Sequence, residues 1–256
     1  WDKILLRFNV GKTPISIPIP RKTYTKIKNS VESFLGSLFN LWFNPKNKNE
    51  SILFVEFNPL QYVNLLENLE DFNGNLVFLN MRRSAMWNLA SVKILKKFNC
   101  KIITPSKFLT KNEKDEAVTL CKKYLKELDE LWSNSEILKK IFSIEKKSFW
   151  NSIHDVLLYT YKRRLQEYLE LIIFSKKFLN TVKPNCILSL NVLGETEKAI
   201  LEVNKNQIDS ILLEHGGTNY VPEISIYDIS NMYPIFNDKI ALWGNIQKNY
   251  LTNVRN

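Results

Sequence analysis

The chain has 256 residues, 45% of them hydrophobic, with fifteen Phe, ten Tyr and six Trp; that much apolar matter excludes a disordered protein. A formal net charge of +10 favours polyanions or an anionic membrane surface as partners, although a merely lysine-rich solvated surface explains the same number. Its basic residues are spread along the chain rather than gathered in one tract, which disfavours nucleic acid, and no apolar run is long enough to span a bilayer.

Residues 1–50 divide into an extended arm and an amphipathic helix. Prolines alternate with apolar residues from Pro14 to Pro20. Because proline cannot donate to a central ladder, residues 1–22 are expected to form an arm or edge segment. Over 23–43, Ile27, Val31, Phe34, Leu35, Leu38, Phe39 and Trp42 recur near helical spacing. Arg21, Lys22, Lys26 and Lys28 precede the aromatic half of this helix, a pattern suited to an interfacial helix on anionic lipid. Packing of the same apolar residues onto the domain or a missing partner is the plainer expectation.

From Ser51 the pattern turns to an α/β rhythm. Buried strands are expected over 52–57, 76–79 and 101–104, with helices over 59–70, where Pro59 takes the first helical position, and 85–98. Single helices between strands imply parallel pairing. The middle breaks the rhythm: two long helical stretches, about 113–141 and 148–182, read as an inserted helical hairpin with Trp132 and Trp150 in its core. His154 sits beside Asp155 within one helix, where neighbours do not face one another, and is expected to be non-catalytic.

After Lys183-Pro184 the rhythm returns, with strands over 186–190, 210–214 and 239–244, helices over 195–206 and from Asn245, and a loop at 191–194. The fold class is therefore α/β: a Rossmann-like, mainly parallel sheet over 51–256, flanked by helices and interrupted by the hairpin at about 113–182.

Ligands of open α/β sheets bind beyond the carboxyl ends of the strands. The most informative such end is Ser210-Ile211-Leu212-Leu213-Glu214 followed by His215-Gly216-Gly217. Gly216 and Gly217 permit a sharp turn and a close approach by a ligand. Histidine is a base poised near neutral pH, or a donor to a phosphate; the bland alternative is a structural histidine bonded to a nearby carbonyl. Asn191, Gly194 and Glu195 follow the preceding strand, while Asn58 follows the first and Arg82 with Arg83 the second. An arginine there can hold phosphate bidentately; a favourable charge at a helix start is the simpler role for Glu195. Cys100, Cys121 and Cys186 lie in or beside apolar stretches and are expected to be reduced core residues. No C-x-x-C, H-E-x-x-H or Asp-x-Asp occurs, so no metal and no cofactor is expected.

Pro184, Glu214-His215-Gly216, Tyr220, Pro222 and Asp238 through Gly244, in that order over about 183–250, resemble the end of the N-terminal domain of GT-B glycosyltransferases that build surface polysaccharide. Capsule-type and teichoic-acid-type enzymes share this layout with UDP-GlcNAc 2-epimerases. The resemblance implies a cytoplasmic enzyme, peripheral at the inner face of the membrane. It would transfer a sugar or polyol phosphate from a nucleotide-activated donor to a glycan or lipid-linked acceptor. His215 would be the catalytic residue, with Tyr220 among the substrate contacts. The donor would be held mainly by a second domain; the chain stops where that domain would begin, lacks an initiating Met and looks like an excised piece, so the isolated chain is expected to be inactive. Two rivals stand beside this expectation: a nucleotide-sugar epimerase of the same fold, and a non-enzymatic basic adaptor for anionic lipid or nucleic acid.

Overall fold

The computed structural model describes residues 3–46, 50–191, 194–205, 207–213, 237–242, 244–245 and 248–249. Two compact units share the chain: the first takes residues 1–106, 184–193 and 208–256, the second 107–183 and 194–207.

The first unit opens on a hairpin rather than a single arm. Strand β1 (Lys3–Val10) pairs antiparallel with β2 (Thr13–Pro20) about a two-residue loop. Gly11, at the first loop position, has φ 61° while Lys12 does not turn positive, as a type II′ turn requires. The prolines fit because of register. Val10 and Thr13 flank the loop and form a hydrogen-bonded pair; the pairs Asn9–Pro14, Leu5–Pro18 and Lys3–Pro20 are then all of the other kind. Each proline nitrogen faces away from the ladder, where its missing proton costs nothing.

Helix α1 (Arg21–Phe39) follows directly and ends in a 3-10 turn over Asn40–Trp42. Beyond it come the strands β3 (Ser51–Val55), β4 (Asn75–Leu79), β5 (Lys101–Ile102), β8 (Cys186–Ser189), β9 (Asp209–Leu213) and β10 (Lys239–Ala241). They form one fully parallel sheet in the order β5-β4-β3-β8-β9-β10. Counted outward from β3, that is the doubly wound Rossmann order 3-2-1-4-5-6. Phe54, Phe57, Phe78, Leu66 and Leu95 fill the core beside it, with Phe54 and Phe78 stacked at 4.8 Å. Cys100 is part of this core, and burial pushes its thiol up to about 12.

Two helices are shorter than the periodicity predicts. Helix α2 covers only Val63–Asn68, because the Asn58 carboxamide oxygen captures the Leu60 amide at 3.2 Å and makes Pro59 part of a turn. Helix α3 starts at Leu89, not 85; Asn88 caps it by accepting the Ser91 amide at 2.7 Å. The edge strand β5 is closed by a side chain acting as backbone. Asn40 donates to the Ile102 carbonyl at 2.7 Å and accepts the Ile102 amide at 2.9 Å.

The second unit holds α4 (Lys111–Ser133), α5 (Ser135–Ile141), a small hairpin of β6 (Ser143–Ile144) and β7 (Lys147–Ser148), the long α6 (Trp150–Val182) and α7 (Glu195–Asn204). Glu145 and Lys146 both have positive φ, the signature of a type I′ turn, here without the usual Asn or Gly. Ala117, Cys121, Leu169 and Ile173 form the α4–α6 seam, and Trp132 meets Trp150 at 5.4 Å as core aromatics. His154 and Asp155 do meet despite being adjacent in α6, with Nε2 3.2 Å from Oδ1, and the His154 ring lies 5.8 Å from that of Trp150.

Glu113 completes a capping box with Thr110 at the start of α4 and also pairs with Lys177 of α6. The Lys177 hydrogen bond, then that of Thr110, lowers its carboxyl from 4.5 to about 2. A depressed folded-state value means that the contribution is complete above pH 4.5 and lost as pH falls towards 2. Lys177→Met should therefore flatten the acid limb of the melting-temperature profile within that window, followed by circular dichroism. An acid limb unchanged by the substitution would show that the pair adds no stability.

Candidate functional site

In the Rossmann order the topological switch point lies between β3 and β8, which run side by side from neighbouring origins in the sheet but continue in opposite directions along it. Register places Val55 level with both Leu79 and Ser189, and Ser189 level with Leu212. Asn58 lies three residues beyond that line, Arg82 three beyond it on β4, and Asn191 two beyond it on β8. The sheet thus brings these three predicted site residues to one edge. His215, Gly216, Gly217 and Tyr220 lie outside the described residues; β9 ends at Leu213, two residues short of the histidine.

Glu56, a residue in no motif of the sequence, organises this edge. It ends β3 by turning into the left-handed region at φ 61°, an uncommon conformation for a side chain other than glycine. That turn sends its carboxylate under the loop after β4, where it is only 3% exposed. There it accepts the Met81 amide at 2.8 Å and the Arg82 amide at 3.1 Å, and lies 3.5 Å from the Arg82 Nε. Lys28 of α1 holds the other polarity of the same two peptides, donating to the Arg82 carbonyl at 2.9 Å and the Met81 carbonyl at 3.4 Å. One carboxylate and one ammonium therefore clamp both backbone groups of residues 81–82.

The remaining polar groups extend the clamp. Asn80 donates to the Phe57 carbonyl at 2.9 Å and the Arg83 carbonyl at 3.1 Å. Asn58 accepts from the Trp87 indole at 3.4 Å as well as from Leu60, and the Arg83 guanidinium stacks 3.9 Å above the Trp87 ring. Glu32 of α1 stands beside this network. Burial pushes its carboxyl above the ordinary range, Lys28 at 3.8 Å pulls it back, and the Glu56 charge pushes in the same direction as burial. The Arg82 guanidinium is half exposed, so the loop offers a positioned cation at the mouth of the edge.

Gly194 and Glu195 belong to the second unit. Gly194 is the N-cap residue of α7, and a Cβ there would come within 2.2 Å of the Glu197 carboxylate, which would have to shift to admit it. The Glu195 carboxylate receives the Arg164 guanidinium at 2.7 Å and the Tyr168 hydroxyl at 3.2 Å, which ties the start of α7 to α6. A residue of the resembling segment also has a structural task. Asp238 accepts the Ser210 amide at 2.8 Å and its hydroxyl at 2.7 Å, fastening the approach to β10 onto β9.

No protein family, curated protein or solved structure matches the chain.

Proposed function

We propose that this chain is the acceptor-side, Rossmann-like half of a GT-B glycosyltransferase of surface-polysaccharide assembly, working in the cytoplasm at the inner face of the membrane. The observation that supports it most is the sheet order. The switch point of a 3-2-1-4-5-6 sheet lies between the strands that Asn58 and Asn191 follow, Arg82 follows the neighbouring β4, and on the other side β9 leads in sequence to Glu214-His215-Gly216.

In this reaction an acceptor hydroxyl attacks the anomeric carbon of a nucleotide-activated sugar, or the phosphorus of an activated polyol phosphate. The His215 imidazole takes the hydroxyl proton as the new bond forms, and the nucleotide leaves with the electron pair of the broken bond. Gly216 and Gly217 add no side chains next to the histidine in sequence, while Asn191 and Tyr220 are assigned to the acceptor. Arg82, held by Glu56 and Lys28, meets phosphate charge on the incoming substrate. In the GT-B arrangement the donor's nucleotide is held chiefly by the partner Rossmann-like domain, so the groups named here serve the acceptor side.

The test is to incubate the complete gene product with nucleotide-activated sugars and polyol phosphates, with and without glycan or lipid-linked acceptors, and to follow masses. Acceptor-dependent gain of one sugar or polyol-phosphate unit is expected. Interconversion of the nucleotide sugar without acceptor would instead make the protein an epimerase. Neither reaction across the panel, with retention on oligonucleotides, would make it an adaptor. Residues 1–256 alone should be silent in the same assay.

A further inference from the structure

Helix α1 is amphipathic, but it packs the wrong way round for a soluble domain. The residues it turns towards the first unit are small or polar. Gly36 sits where a Cβ would come within 2.7 Å of Thr104, Ser33 meets Ser106 at 2.5 Å, Asn40 pairs with Ile102, and Lys28 grips residues 81–82. The opposite stripe, Ile27, Val31, Phe34, Leu35, Leu38 and Trp42, recurs at helical spacing and is 42–64% exposed throughout. Of the aromatic and aliphatic side chains on the helix proper, only Phe39 is buried. The hairpin just before it behaves similarly, because β1–β2 pairing puts Phe8, Val10 and Ile17 on one face and all three remain exposed. Polar and glycine contacts fix the helix to the sheet, and its apolar stripe is left outward. Exposed apolar stripes of this extent mark an interaction surface.

The charge around the stripe identifies its partner. Residues 3–46 carry eight Lys and Arg but one acid, Glu32, which is paired with Lys28. Lys96 lies 4.7 Å over the Trp42 ring and Lys101 5.8 Å over Phe43, so cations ring the aromatic end as well. A second copy pressed on this face by a two-fold axis would set those cations against their own equivalents, which opposes association. An anionic bilayer satisfies both halves at once: acyl chains take the apolar stripe, and phosphate headgroups take the flanking ammonium and guanidinium groups. The helix has 19 residues and no helix among those described is long and apolar enough to cross a membrane, so α1 would lie in the interface.

We infer that α1, together with the exposed face of the β1–β2 hairpin, is a docking surface for anionic lipid membranes. Lipid binding by this surface is independent of sugar transfer and is read without it.

The experiment is flotation of the full 256-residue chain with vesicles of phosphatidylcholine alone or with about one third phosphatidylglycerol, at low and high salt. Binding is expected on the anionic vesicles, with at least a tenfold loss on neutral ones and a further loss in high salt. Phe34→Ser with Leu38→Ser should reduce anionic-vesicle binding about tenfold while the melting temperature holds, because both side chains point away from the fold. Lys22→Gln with Lys26→Gln should lower binding to anionic vesicles and leave binding to neutral ones unchanged, and Phe34→Leu should retain binding. Light scattering run alongside separates the other occupants. A dimer dissolved by the Ser pair, with no vesicle binding, would assign the face to a second copy and overturn the inference. Flotation indifferent to the Ser pair, or absent on anionic vesicles, would also overturn it.

Discussion

On the proposed transferase reading, His215→Ala should lower the rate of transfer by about 100-fold or more, with fold and donor affinity little changed. The expectation follows from the role of a base: without it, the acceptor hydroxyl must attack with its proton still attached. Only an interaction gained in the transition state is lost, so the effect falls on turnover rather than on substrate binding. His215→Gln separates the two roles open to the imidazole. An amide still donates a hydrogen bond to phosphate but does not accept a proton, so the Gln variant should be as slow as Ala if the histidine is a base. Recovery of activity in Gln would instead make the side chain a phosphate donor. Near-normal turnover in both variants would remove His215 from the chemistry.

The second large effect should fall on stability. Glu56→Ala removes the carboxylate that accepts two backbone amides in a site closed to water, and it keeps a Cβ at φ 61°. The loss should be about 3 kcal/mol, from two backbone amides left without their charged acceptor; the left-handed backbone costs Glu and Ala alike and adds nothing to this difference. For a chain of this size that is about 6–10 °C in melting temperature. Glu56→Gly loses the same hydrogen bonds but relieves the backbone, and should recover about 1 kcal/mol of the deficit. Glu56→Gln keeps an acceptor oxygen and should be the mildest of the three. Thermal melts that rank Ala no worse than Gly would show that the backbone turn is not strained; unchanged melts for all three would show that the loop after β4 is held by other contacts. A transferase reading adds a corollary: the loss of Glu56 should free Arg82 and weaken substrate binding beyond what stability explains.

The parallel sheet was legible because each of its strands is a short apolar run between helices, a pattern required by burial on both faces. From those runs, the strand ends carrying Asn58, Arg82 and Asn191 could be predicted to share one edge, and register places them there. The N-terminal hairpin was hidden by its prolines, which argue against a strand until their common parity is matched with a two-residue loop. The periodicity of α1 located the helix but not its orientation. Apolar spacing normally marks the buried face, whereas here Gly36, Ser33 and Asn40 make the tertiary contacts. Glu56 left one signal, a lone carboxylate at the end of an apolar run, but its part in the clamp depends on residues 25 positions away that composition and spacing do not connect. Helix α2 illustrates the opposite failure, since a Pro at a plausible first helical position was overruled by an Asn side chain one residue earlier.

Hydrogen exchange followed by mass spectrometry tests the central claim most directly, using the 256-residue chain with and without saturating poly(glycerol phosphate) oligomers, and separately with UDP-GlcNAc, as acceptor and donor probes. An acceptor site at the carboxyl edge of the sheet should slow exchange in the segments that follow β3, β4, β8 and β9, those containing Asn58, Arg82, Asn191 and His215, with the polyol-phosphate probe giving the larger protection. Protection confined to the groove of about 510 Å³ between α4 and α6, lined by Leu120, Tyr124, Leu165 and Lys176, would contradict the account, as would no protection by either probe.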